Sequence, residues 1–285
     1  MAVLKSINYW SFPGGLESTL CPFEAIKLAK QHGYEAIELC LGDGPEMDLN
    51  TTEEFCQELV QEAKDYGITI PSVASGTYWG RSLADGKAEI REQAKQDLER
   101  MLQITAWLGA KTLLTIPGAV DVFFLPDREK LPYAHVYKYA SEGIRALLPT
   151  AERCGVRMGI ENVWNRFLLS PHEMAGFIDQ FDSPWVGAYV DVANLMPFGH
   201  PEDWLRHLGK RVVGIHFKDF RRSVGTADGF VDLLEGDVSW PDVMAAIQEI
   251  GYEGPVAAEM IPGYRHHPMV RIANTSNAMD AILGR

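Results

Sequence analysis

The chain has 285 residues, close to the size of a single domain of eight β/α units and enough to bury a large core. Its composition, 46% hydrophobic and 23% charged, excludes a disordered or fibrous protein, and its formal net charge of −13 argues against a phosphate-backbone binder, which needs surplus Lys and Arg. No segment approaches the roughly 18 apolar residues of a membrane span, and Met1 to Trp10 holds no charged region followed by a long apolar run, so a cytoplasmic protein without nucleic-acid or membrane partners is expected.

Strand and helix signals alternate along the chain. The first strand spans Leu4 to Trp10, and Pro22 to Gln31 reads as a helix stopped by His32-Gly33-Tyr34, with Gly33 suited to a left-handed cap. Ala36 to Leu41 is the second strand. Thr51-Thr-Glu-Glu54 supplies a capping box for a helix ending near Tyr66-Gly67. Ile68 to Ala74 is the third strand, Lys87 to Leu108 a long helix ended by Gly109, and Thr112 to Ile116 the fourth strand. A helix over Tyr133 to Cys154 leads to a fifth strand, Val156 to Ile160, and Ser170-Pro171-His172-Glu173 starts the next helix. Val186–Val190, Val212–Ile215 and Val256–Ala258 are the last three strands, with helices near Pro201–Leu208, Pro241–Ile250 and Asn277–Leu283. Eight such units without a Pro-, Gly- or Ser-rich linker imply one closed parallel (β/α)8 barrel over residues 1–285. An open doubly wound sheet is the weaker alternative, because no G-x-G-x-x-G or Walker A loop is present. Cys21, Cys40, Cys56 and Cys154 form no CxxC pair and read as ordinary buried thiols.

The last four strands each run into an acidic or imidazole residue: Glu161, Asp191, His216 and Glu259. In a closed parallel barrel the strand ends converge on one face, so these residues become neighbours. Three carboxylates and an imidazole would repel or stay protonated there unless a cation joined them, and the set reads as the site of one divalent ion. Carboxylates with one imidazole suit Mn2+, Mg2+, Co2+ or Zn2+. Such an ion, bound to a carbonyl and the neighbouring hydroxyl, stabilises the enediolate formed when the carbon beside the carbonyl loses a proton. Glu161 and Glu259, three strands apart, can flank that carbon, one taking the proton and the other returning it to the opposite face. Each residue alone has a plainer reading: the carboxylates as caps or surface groups, His216 as a satisfied core histidine. Softer candidates for contacts to a small sugar are Trp164 and Phe167, as a lid or barrel-edge cover, and Trp79 likewise. Glu38 either points inward to the site or pairs with a lysine, and Lys218 either neutralises a phosphate or sits in solvent. Arg265-His266-His267 should lie at the mouth, as loop or phosphate contact.

The runs Gly-Ile-Glu161-Asn-Val-Trp-Asn-Arg-Phe, Val-Asp191-Val-Ala-Asn194, Ile-His216-Phe-Lys-Asp-Phe and Ala-Ala-Glu259-Met resemble the xylose isomerase-like TIM barrels, and within them the sugar-phosphate isomerases and 3-epimerases. The resemblance spans nearly the whole chain and is most specific from about Gly159 to Met260. It implies that Glu161, Asp191, His216 and Glu259 hold one catalytic divalent ion and that Glu161 and Glu259 exchange the substrate proton. It also implies that Arg222 contacts substrate oxygens near the metal. Asn194 stands where the free-ketohexose 3-epimerases carry a histidine; it is closer to the sugar-phosphate branch and can still hydrogen-bond a sugar hydroxyl. The expected activity is a ketose or ketose-phosphate 3-epimerase. A dehydratase of an inosose-type polyol ketone and a non-catalytic metal-dependent sugar-binding protein are the alternatives, and homo-oligomerisation is left open.

Overall fold

Short apolar runs that cannot bury both faces alone become adjacent parallel strands once helices cover them. The computed structural model describes residues 3–42, 44 and 46–285. Seven strands follow in chain order: β1 (Leu4–Asn8), β2 (Ala36–Leu41), β3 (Ser72–Ser75), β4 (Thr112–Thr115), β5 (Arg157–Glu161), β6 (Val186–Asp191) and β7 (Val212–Phe217). A two-stranded antiparallel ribbon, β8 (Asp219–Phe220) with β9 (Phe230–Val231), follows, and β10 (Pro255–Ala258) then closes the parallel barrel between β7 and β1. The covering helices are α1 (Pro22–Gln31), α2 (Glu53–Tyr66), α3 (Ala88–Trp107), α4 (Tyr133–Cys154), α5 (Pro171–Asp179), α6 (Pro201–Leu208), α7 (Trp240–Glu249) and α8 (Pro268–Leu283). The expected single barrel is thus the observed fold. Among the described residues no helix is long and apolar enough to cross a membrane.

Several boundaries differ from the sequence expectation for identifiable reasons. Strand β1 stops at Asn8 because the Asn8 side chain accepts the Trp10 N–H at 2.7 Å and turns the chain into a 3-10 turn over Tyr9–Ser11. Strand β3 begins only at Ser72: Pro71 has no N–H to give a ladder, and Ile68 and Ile70 are buried in the approach to it. Thr52, not Thr51, caps α2, accepting the Phe55 N–H at 3.3 Å. Helix α8 starts at Pro268 rather than near Asn277; its polar Asn-Thr-Ser-Asn stretch is helical because Ile272 and Met279 bury against the barrel. Ser170 caps α5 as expected, accepting the Glu173 N–H at 3.2 Å while the Glu173 carboxylate accepts from Leu169 N at 2.9 Å. Cys40 and Cys56 are buried, but Cys21 is exposed at the start of α1, correcting the reading of all four as buried.

Two glycines matter to the site. Strands β5 and β7 flank β6, and their Gly159 and Gly214 leave room inside the barrel for the Tyr189 ring. A Cβ on Gly159 would stand 3.0 Å from that ring, and one on Gly214 would overlap it outright.

Candidate metal centre and cavity

Glu161 and Asp191 are the last residues of β5 and β6, His216 is next to last in β7, and Glu259 directly follows β10. The barrel therefore brings them to one point, where one ligand atom of each lies within 4.8 Å of the others and all four residues are buried. His216 Nδ1 is 3.4 Å from Glu161 Oε1, 3.8 Å from Glu259 Oε2 and 3.9 Å from Asp191 Oδ2. The Asp191 carboxylate is held by the turn after β6: its Oδ1 accepts the N–H groups of Ala193 and Asn194, both at 2.9 Å, which leaves Oδ2 facing inward. Asn162 clamps the strand ends together, donating to Asp191 O at 2.8 Å and accepting from Asp191 N at 2.9 Å. Asp191 Oδ2 and His216 Nδ1 are buried with no hydrogen-bond partner. A buried polar atom without a hydrogen bond is costly, and His216 Nδ1 and Asp191 Oδ2, which meets only the Lys218 ammonium, aimed at one point among carboxylates fit a bound cation.

Glu38 lies one layer below and does not reach the cavity, which corrects its assignment as a substrate contact. It is the third residue of β2 and fully buried, accepting hydrogen bonds from Asn8 Nδ2 at 2.6 Å, Tyr189 OH at 2.5 Å and His216 Nε2 at 2.7 Å. Burial alone would raise its carboxyl; His216 and Tyr189 outweigh that and hold it below the ordinary carboxylate value. Glu38 thereby fixes the imidazole ring with Nδ1 turned toward Glu161, Asp191 and Glu259, an arrangement like that in which a carboxylate orients a metal-ligating histidine.

The cluster's charges shape one another. Burial raises the Glu161 carboxyl to about 7, against the opposing pull of His216. Burial would lower His216, but Glu38, Glu259 and Glu161 raise it well above the ordinary imidazole value. The Lys218 ammonium sits 2.9 Å from Asp191 Oδ2, outside hydrogen-bonding geometry, and in contact with Glu259 Oε2. These neighbours, with Glu161, raise Lys218 despite its burial.

Above the cluster opens a cavity of about 260 Å3, with Glu161, Asn194, Lys218 and Glu259 at its polar floor and aromatic and aliphatic side chains as its walls. Trp164 is one wall, its indole N–H donating to Asn194 O at 2.7 Å, and Asn194 Nδ2 donates to Asn162 O at 3.1 Å. Arg222 is not brought to the cavity. It is exposed, and its guanidinium donates to Gly199 O at 2.9 Å and lies 3.2 Å from His200 Nδ1, because the ribbon of β8 and β9 carries it outward. Phe167 is in the core against Tyr133 and Phe177, and Arg265, His266 and His267 are not among the lining residues. Sequence reading missed Asn162, whose place beside Glu161 is its only signal. It also missed the wall formed by Trp10, Phe123, Phe124 and Phe230, which come from three separate segments, after β1, after β4 and in β9, and share no spacing.

Comparison with known proteins finds relatives of the same fold. The chain is 20% identical over 284 residues to L-ribulose-5-phosphate 3-epimerase UlaE of Escherichia coli, covering 99% of this chain and 96% of that one. A crystal structure of D-psicose 3-epimerase in the presence of D-fructose superposes with a TM-score of 0.77 at 17% identity, over 99% of this chain and all of the other. The IOLI protein, crystallised with a bound zinc atom, superposes at 0.78 with 14% identity, over 99% and 98% of the two chains. With residues 26–279 matched by the corresponding family model, the chain belongs to the xylose isomerase-like TIM barrel family.

Proposed function

We propose that this chain is a divalent-metal-dependent ketose 3-epimerase in which Glu161 and Glu259 exchange the substrate proton. One juxtaposition carries the reading: two carboxylates from strands three apart in the ring meet at a buried point with Asp191 and His216, at the floor of a sugar-sized cavity. Sugar 3-epimerases among the relatives and structural neighbours support it.

Glu161, Asp191, His216 and Glu259 would hold Mn2+, Mg2+, Co2+ or Zn2+. When bound, the ion supplies the positive charge that acidifies a carbon beside a carbonyl. Proton transfer belongs to the protein. One of the two glutamates takes the proton from C3, the C–H pair forms the C2–C3 double bond as the carbonyl pair shifts onto O2, and the other glutamate, entering the cycle protonated, gives its proton to the opposite face of C3 as both pairs shift back, inverting the centre. Burial raises the Glu161 carboxyl to about 7 in the ion-free site, and a bound cation would draw it down toward the carboxylate form. Asn194, with its Nδ2 engaged by Asn162 O, presents Oδ1 as an acceptor for a sugar hydroxyl, and Lys218 offers a donor beside Glu259. Trp164 closes the wall and excludes water.

The test is proton exchange in D2O followed by NMR, using metal-loaded protein with ketoses. Deuterium should appear at C3 together with a new epimer. Glu259→Gln should lose both by a factor of about 100 to 10,000. Deuterium at C1 would instead mean aldose–ketose isomerisation, and an ultraviolet-absorbing product would mean dehydration. No exchange by the loaded protein would sink the reading.

A further inference from the structure

The cavity floor has no spare positive charge. The Lys218 ammonium is already paired there, 2.9 Å from Asp191 Oδ2 and in contact with Glu259 Oε2. The other cation among the described lining residues is Arg271. It is buried and committed: its Nε donates to Asp232 Oδ1 at 2.7 Å, and its Nη1 donates to the carbonyls of Met260 and Pro262. Farther out, Arg128 donates to Trp79 O at 3.4 Å and Arg166 faces Asp121 at 3.4 Å. A phosphate dianion brought here would give up its water without gaining a free cation, which is strongly unfavourable.

What the walls offer instead is aromatic surface that continues beyond the cavity. Trp10, Trp79 and Phe124 line both the central cavity and a neighbouring open hollow of about 640 Å3, whose other lining residues include Glu17, Ser18 and Thr77. Among its described lining residues that hollow has no cation. Phe124 is 45% exposed and packs edge-on against Trp79 at 5.1 Å, so a large aromatic ring is left facing solvent at the junction of the two spaces. Exposed aromatic surface bordered by hydroxyl and carboxylate groups matches a sugar ring, which presents an apolar C–H face and a polar rim.

Resting on the epimerase reading, we infer that the substrate is an uncharged ketose derivative bearing a second ring where a sugar phosphate would bear its phosphate. The ketose end lies on Glu161 and Glu259. The second ring lies against Trp79 and Phe124, with its hydroxyls toward Glu17 and Ser18.

Three probes share one ketose head and differ at a single oxygen: D-fructose, D-fructose 6-phosphate, and isomaltulose, which carries a glucosyl ring on O6. Deuterium uptake at C3 gives kcat/KM for each with the metal-loaded protein, and quenching of tryptophan fluorescence gives Kd without turnover. Isomaltulose should exceed D-fructose by about tenfold in kcat/KM, the size of one aromatic contact, and D-fructose 6-phosphate should fall below D-fructose. Phe124→Ser, at an exposed position, should reduce the advantage of isomaltulose over D-fructose. A preference for the phosphate, or no advantage for the ring, overturns the inference and leaves the epimerase reading standing. If no probe exchanges, the epimerase reading falls, and the Kd order then decides alone: tightest binding of isomaltulose upholds the second-ring subsite, and any other order rejects it.

Discussion

A carboxylate beneath a ligand histidine has a task a carboxamide does only in part. In Glu38→Gln the side-chain oxygen can still accept from His216 Nε2 and Asn8 Nδ2, but the charge that pins the ring is gone, and the amide N–H2 must face the Tyr189 hydroxyl. Affinity for Mn2+, read by calorimetry, should fall about 10- to 100-fold, as for other partners of metal-ligating histidines. An unchanged affinity would show that packing alone orients the ring. Proton linkage gives a second expectation at this scale. Without an ion Glu161 holds its proton up to about pH 7, raised from the ordinary 4.5, and His216 stays protonated above its ordinary value. Both must give up protons to bind an ion, so affinity should rise with pH by about tenfold or more per unit between pH 5 and 7. A flat affinity over that window, with no proton release, would contradict it. The convergence of Glu161, Asp191, His216 and Glu259 was legible in the sequence because each stands at or beside a strand end. Glu38 was legible as a strand residue but not as a buried one, since its depth follows from being third in β2, and only the barrel's stagger converts that position into a layer.

At the scale of elements, the site depends on two strands surrendering side chains to a third. Gly214→Ala would drive a methyl into the Tyr189 ring and, through it, disturb the Glu38 contacts. The variant should lose roughly 1–3 kcal/mol of stability, the usual cost of overpacking, and should also bind metal more weakly. A variant as stable as the parent in denaturant titration would refute the packing argument. Helix and strand order could be read from the sequence because periodicity and caps recur in every unit. The ribbon of β8 and β9 could not, for two-residue strands carry no period, and it is this ribbon that takes Arg222 away from the cavity. The ribbon's base is fixed by Asp219, whose buried carboxylate accepts from Phe220 N, Leu234 N, Val238 N and Trp240 Nε1, contacts too scattered along the chain to leave a motif.

Over the whole molecule, an ion that binds only the folded chain must stabilise it. At a thousandfold excess over Kd the gain is about 4 kcal/mol, and for a chain of this size chelation should lower Tm by roughly 5–10 °C. Glu161→Gln should abolish that shift, and a chelator-insensitive Tm in the parent would argue that no ion binds the cluster. The ring also separates two tasks. The four candidate ligands come from the neighbouring strands β5, β6, β7 and β10, whereas Trp10, Trp79, Phe123 and Phe124 stand in loops after β1, β3 and β4. One half of the circle holds the reaction and much of the other frames what may enter. Loop exchange confined to the first half should therefore retune which sugar is accepted while the chemistry is inherited intact, a modularity that lets one ancestral centre serve many diets.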